Sequence, residues 1–222
     1  MAIQVQGNGG TVAEVDGTTY RALRTTIRPS EYGSLGHYMV SAASQTIAAG
    51  MAGNSDIFQI RWTDSTRLCV IEEVTLEGMY QLTGFTAGAA DFNLAIARNW
   101  SAAGSGGSQV VAAASANSSK LRTSMGTTLI QSAGDMRIAT TGALTAGTRT
   151  VDSTRIGGYQ KMILAAANTQ VFDIVTLFHA DAAGDHPIVL AQNEGIVVRA
   201  TVPATGTWVF GIKVQWSELS SF

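Results

Sequence analysis

Between Ile196 and Trp216 apolar positions recur at every second residue on either side of a short link. Ile196, Val198, Ala200 and Val202 share one parity; Trp208, Phe210, Ile212, Val214 and Trp216 share one parity beyond the link. Side chains alternate across a strand, so each run predicts a strand with one core face and one more polar face. The link Pro203-Ala204-Thr205-Gly206 has Pro and Gly at turn positions and a length that suits a hairpin. Burial of Trp208, Phe210 and Trp216 contributes about 2–3 kcal/mol each.

The same period recurs upstream. Phe58, Ile60 and Trp62 alternate with Gln59 and Arg61, Asp64-Ser65 reads as a turn, and Leu68, Val70, Val74 and Leu76 resume on one parity. This predicts a second hairpin. Glu72 interrupts its apolar parity, which predicts a bulge or a strand end near Glu72-Glu73. In the run from Phe92 to Trp100, Phe92, Leu94, Ile96, Arg98 and Trp100 take one parity, and Asn93, Ala95, Ala97 and Asn99 form a small-residue face open to another layer or subunit. His37–Val40 and Asp135–Ala139 read as short strands. From Gln170 to Phe178 both parities are largely apolar, as in a central strand or one at a subunit interface. No helical period persists beyond a turn or two.

Short strands joined by Gly-rich turns predict an all-β fold: an antiparallel β-sandwich, jelly-roll-like, with an extended N-terminal arm. The arm spans 1–35 and the sandwich domain 36–222. Residues 101–119 are a Gly/Ser/Ala-rich segment, expected as an exposed loop, and 140–169 are expected as irregular surface with short strands. In the arm, Arg21, Arg24 and Arg28 precede Pro29. They read either as an arm pairing with acidic groups of a neighbouring subunit or as an edge strand with a free terminus.

Composition narrows the function classes. Charged residues are only 14% of the chain, and 14 Lys and Arg against 16 Asp and Glu leave a net charge of −2. That balance carries no footprint for nucleic acid. Low charge with 24 Gly fits a protein that packs against neighbours. The start of the chain shows no secretory signal, and no apolar run reaches the ~18 residues of a membrane span. The expected setting is a cytoplasm, or an assembly built there. Cys69 is the single cysteine and lies in an apolar run, so a buried inert thiol is expected and an intrachain disulfide is excluded.

Candidate chemistry is sparse. His179, Asp181, Asp185 and His186 place two imidazoles and two carboxylates within eight residues, a weak candidate set for zinc or a harder ion. The same residues also read as a polar loop with Asx turns. Ser is abundant, but no G-x-S-x-G elbow occurs. Glu72 and Glu73 are neighbours on a strand and are expected on opposite faces, where they cannot flank one bond. No phosphate cradle is present, and no cofactor is expected. The chain therefore reads as non-enzymatic.

Three stretches resemble small virion structural proteins of tailed bacteriophages: GTVAEVDGTTYRALRTTIRP, FQIRWTDSTRLCVIEEVTLEG and HPIVLAQNEGIVVRATVPATGTWVFGIKVQWSE. Proteins of this style include capsid cement, or decoration, proteins, which are often β-sandwich trimers on the capsid lattice; others belong to tail fibres or baseplates. The resemblance implies a virion component on the capsid surface, binding the major capsid protein and stabilising the head. The alternative is a tail, fibre or baseplate module that binds a host glycan or protein. Arg21, Arg24, Arg28 and Tyr32 are the expected capsid contacts. Val171, Phe172, Ile174 and Phe178 are the expected contacts of a homotrimer, because capsids offer symmetric sites. Nucleic acid, membrane and small-molecule substrates are not expected partners.

Overall fold

The computed structural model describes residues 36–51, 53–132, 134–180 and 186–220. Among them lie thirteen strands and one short 3-10 helix, Ala113–Ser119. The expected arm falls outside the described residues. Six strands form one antiparallel sheet. Its long members, in spatial order, are β1 (His37–Ala43), β13 (Thr207–Leu219), β4 (Leu68–Thr83) and β10 (Thr169–His179). Two short strands extend it: β2 (Ile47–Ala48) beside β13 and β11 (Ile188–Leu190) beside β4. The second sheet orders β6 (Ser108–Gln109), β7 (Met136–Ile138), β3 (Ser55–Arg61), β12 (Gly195–Thr201), β5 (Gly88–Ala102) and β8 (Thr148–Val151), with β9 (Gly157–Ile163) also on β5.

The long strands therefore run β1-β13-β4-β10 in one layer and β3-β12-β5-β9 in the other. Each step from one long strand to the next changes sheet, except β5 to β9. That is jelly-roll wiring. It overturns both expected hairpins. β12 and β13 lie in different sheets, and Pro203-Ala204-Thr205-Gly206 is a corner that carries the chain across the sandwich. β3 and β4 likewise part at Asp64-Ser65. The physical reason is that a period of two sets which face is buried, not which strand lies alongside. Two strands facing one core from opposite layers show the same pattern as a hairpin.

The core lies between the layers. Trp62, Trp208, Trp216, Phe58, Phe92 and Phe210 are all buried there, with Tyr38 stacked on Trp216 at 5.5 Å between ring centres. Cys69 is buried among them, as expected, and burial raises its thiol pKa well above the ordinary value. The expected bulge at Glu72 is present: Gln215 pairs with Glu73 while Trp216 pairs with Ile71, leaving Glu72 as the extra residue. A second irregularity sits at Gly78, whose φ of +110° suits glycine.

The segment between β5 and β9 departs most from expectation. Ser101–Ser108 is largely exposed, but Gly104 is buried against Gln59; a Cβ there would lie 2.3 Å from the Gln59 amide nitrogen. Farther on, Val111, Ile130, Met136, Ile138 and Leu144 enter the main core, and β7 pairs with β3. The small-residue face of β5 is covered from within the chain. Ala95, Ala97, Trp100, Val197 and Val151 form a separate cluster there. Trp100 reaches that face because Asn99 takes a left-handed φ of +54° and reverses the alternation. β10, expected either as a central strand or as one at a subunit interface, is not central: it is the last long strand of its sheet and pairs only with β4. Phe172 is buried, Val171, Val175 and Phe178 are half-buried, and Ile174 is exposed.

Candidate functional site

The bulge in β4 decides where its two adjacent glutamates go. Lys213, Gln215 and Ser217 are alternate residues of β13 and share its outer face. Glu73 takes Lys213 Nζ at 2.8 Å and accepts from Thr75 at 2.7 Å. Glu72 accepts from Gln215 Nε2 at 3.1 Å and from Ser217, and lies 2.7 Å from His37 Nε2. Both carboxylates thus stand on one face, contrary to the expectation from simple alternation, because a bulge inserts one residue between alternating positions. They still make a poor acid–base pair. Burial pushes Glu72 up, but hydrogen bonds from His37 and Ser217 outweigh it and hold the group below its ordinary value. Glu73 is likewise held low: Lys213 and Thr75 outweigh its burial. A glycosidase acid needs the opposite shift in one member.

The expected metal set is only partly described. His179 ends β10 opposite Glu73, and His186 is exposed with Nδ1 2.6 Å from the Pro187 carbonyl oxygen. Asp181 and Asp185 lie outside the described residues, as do Arg21, Arg24, Arg28 and Tyr32. Among the described residues no cluster of three His, Cys, Asp or Glu could hold a metal ion. No described helix is long and apolar enough to cross a membrane.

The outer face of the second sheet carries a polar array that the sequence does not announce. Asp56, on β3, is buried and receives Arg149, from β8, and Arg199 Nε, from β12, at 3.3 Å. The Arg149 guanidinium lies 4.7 Å from the centre of the Trp100 ring. Arg98 Nε meets Asp152 at 3.1 Å and its Nη1 meets Glu194 at 2.6 Å; Arg155 meets Asp91 at 3.0 Å. Two open clefts flank the Arg98–Asp152 pair. One, of about 400 Å³, is lined by Arg98, Trp100, Gln192, Asn193 and Glu194. The other, of about 230 Å³, is lined by Asn54, Asp91, Asn93, Asp152, Arg155 and Arg199. These residues come from β3, β5, β8, β12 and the loops beside them, so no local spacing reveals them. Four arginines and four carboxylates balance across the array: Asp56 takes two arginines, Arg98 takes two carboxylates, and Arg155 pairs with Asp91. All four tryptophans are buried, so none offers a ring for a sugar to stack on. Tyr80, 42% exposed, is the exposed aromatic among the described residues.

No family model, no curated protein and no solved structure matches this chain.

Proposed function

We propose that the chain is a non-enzymatic structural protein of a tailed-bacteriophage virion, of the capsid cement type. In this reading it binds the major capsid protein lattice at the capsid surface, as a homotrimer, and stabilises the head. The observation that carries the reading is the state of the ionisable groups on the sandwich. The Glu72, Glu73, Asp56, Arg98 and Arg155 side chains are engaged in internal pairs, and the two clefts are open and polar. Such a molecule suits broad contact with neighbours and not turnover of a substrate. The resemblance of three stretches of the sequence to phage virion proteins supports the same class, and the low charge fits a protein held among others.

Copy number tests the proposal. Quantitative mass spectrometry of purified virions from the genome that encodes the chain should return hundreds of copies per particle. Tens of copies or fewer would move the protein to the tail, fibre or baseplate. Its absence from virions would overturn the proposal altogether.

A further inference from the structure

The exposed apolar side chains are unevenly placed. Seven large ones stand out among the described residues, and the three most exposed are Leu164 and Ile174, at 73%, and Met162, at 67%. Met162 is on β9, Leu164 directly follows it and Ile174 is on β10; Ile156, at 40%, directly precedes β9. β9 and β10 end the two sheets on the same side of the sandwich. Tyr159 meets Phe172 edge-on at 5.0 Å, and a Cβ on Gly157 would lie 1.8 Å from the Leu177 carbonyl oxygen. Beyond them neither strand has a partner among the described residues: β9 pairs with β5 alone and β10 with β4 alone. An apolar border thus flanks the edge, a seam where the two sheets close on each other, with Met162 opposite Ala89 on one sheet and Ile174 opposite Glu77 on the other. Monomeric proteins seldom leave such a border uncovered, and long unpaired edges are normally guarded by charge.

Charge on this seam is minimal and of both signs. Lys161 on β9 and Asp173 on β10 are exposed, and neither enters an ion pair among the described residues. We infer that the β9–β10 edge is the surface through which copies of this chain associate, with the β9 side of one copy against the β10 side of the next. That arrangement covers Met162, Leu164 and Ile174 and sets Lys161 beside Asp173 of the other copy. An edge carrying one cation and one anion on opposite strands complements itself, which selects a second copy over a partner of a single charge sign. Both a two-fold pair and a closed ring satisfy it. Of the four expected oligomer contacts, Ile174 remains a contact. Phe172 turns inward against Phe92 and Tyr159. The inference stands without the virion proposal, because it concerns the purified chain alone.

Light scattering coupled to gel filtration, over a hundredfold range of concentration, tests it on the full chain. The parent protein should run as an oligomer. Met162→Asp with Ile174→Asp should shift it to the monomer mass, or raise the dissociation constant at least tenfold, with an unchanged near-ultraviolet circular dichroism spectrum. Leu121→Asp, 49% exposed but away from the seam, should leave the mass unchanged. Lys161→Glu and Asp173→Lys should each weaken association, and together restore it. A parent that is monomeric throughout, or an oligomer indifferent to the seam variants, would overturn the inference.

Discussion

Asp56 holds two arginines at once, and it is buried with one of them. Arg149 is almost wholly enclosed, packed on Trp100, with its charge answered by the Asp56 carboxylate. Removing one member of a buried pair leaves the other charge uncompensated, at a cost of about 3–5 kcal/mol. Asp56→Ala should lose about that much in urea unfolding, while Arg155→Ala, at an exposed pair, should lose less than about 1 kcal/mol. Asp135 acts in the opposite sense. Burial pushes its carboxyl up to about 6, against the hydrogen bond it accepts from the Ser132 N–H at 3.0 Å. A carboxyl raised in the folded state favours folding when protonated, so its contribution is full below about pH 4 and is lost as pH rises through 6. Asp135→Asn should therefore gain about 1–2 kcal/mol on the parent at pH 8 and little at pH 4, read from the difference between their thermal midpoints. Neither residue stands out in the sequence. Asp56 precedes an alternating run, Asp135 opens the short DMRIA strand, and both are buried by contacts with residues distant in the chain.

At the scale of elements, strands were legible and partners were not. β3, β4, β5, β12 and β13 follow period-two runs in the sequence, β10 follows a run apolar on both parities, β1 and β7 follow short strand-like runs, and the Glu72 bulge is foreshadowed by one misplaced charge. The jelly-roll crossings were hidden because Asp64-Ser65 and Pro203–Gly206 are chemically as fit for a corner as for a hairpin. The segment from 103 to 156 was the least legible. Here 101–119 reads as an exposed Gly/Ser/Ala loop and the stretch from 140 as irregular surface with short strands, yet Val111, Ile130 and Leu144 enter the core. Apart from Met136 and Ile138 on β7, the segment's apolar residues are scattered among small ones, with no period to mark them. Phe58 pairs with Ile138 and Ile60 with Met136 in the β3–β7 ladder. Ile138→Ala should thus cost about 2–5 kcal/mol, as much as Ile60→Ala on a principal strand. Matching shifts in the urea midpoints of the two variants, at equal slope, would show that the inserted segment folds with the sandwich. A negligible loss at Ile138 would make it a separable flap.

Taken as a whole molecule, the division of labour between sandwich and arm can be tested directly. Among the described residues every strand of the jelly roll lies between His37 and Leu219, and both layers are built from strands within that span. The buried aromatic set, from Tyr38 to Trp216, lies within it too. A chain lacking residues 1–28 keeps all of these elements, so it should unfold cooperatively and retain the near-ultraviolet signature of its packed tryptophans. The arginines at 21, 24 and 28 are lost with the deletion. If they pair with acidic groups on the capsid lattice, the truncated protein should no longer co-sediment with capsids, and the binding of the full chain should weaken as salt rises. Full binding by a folded truncated chain would move the docking surface onto the sandwich, where the outer face of β1-β13-β4 with Met39 and Tyr80 is then the first place to mutate.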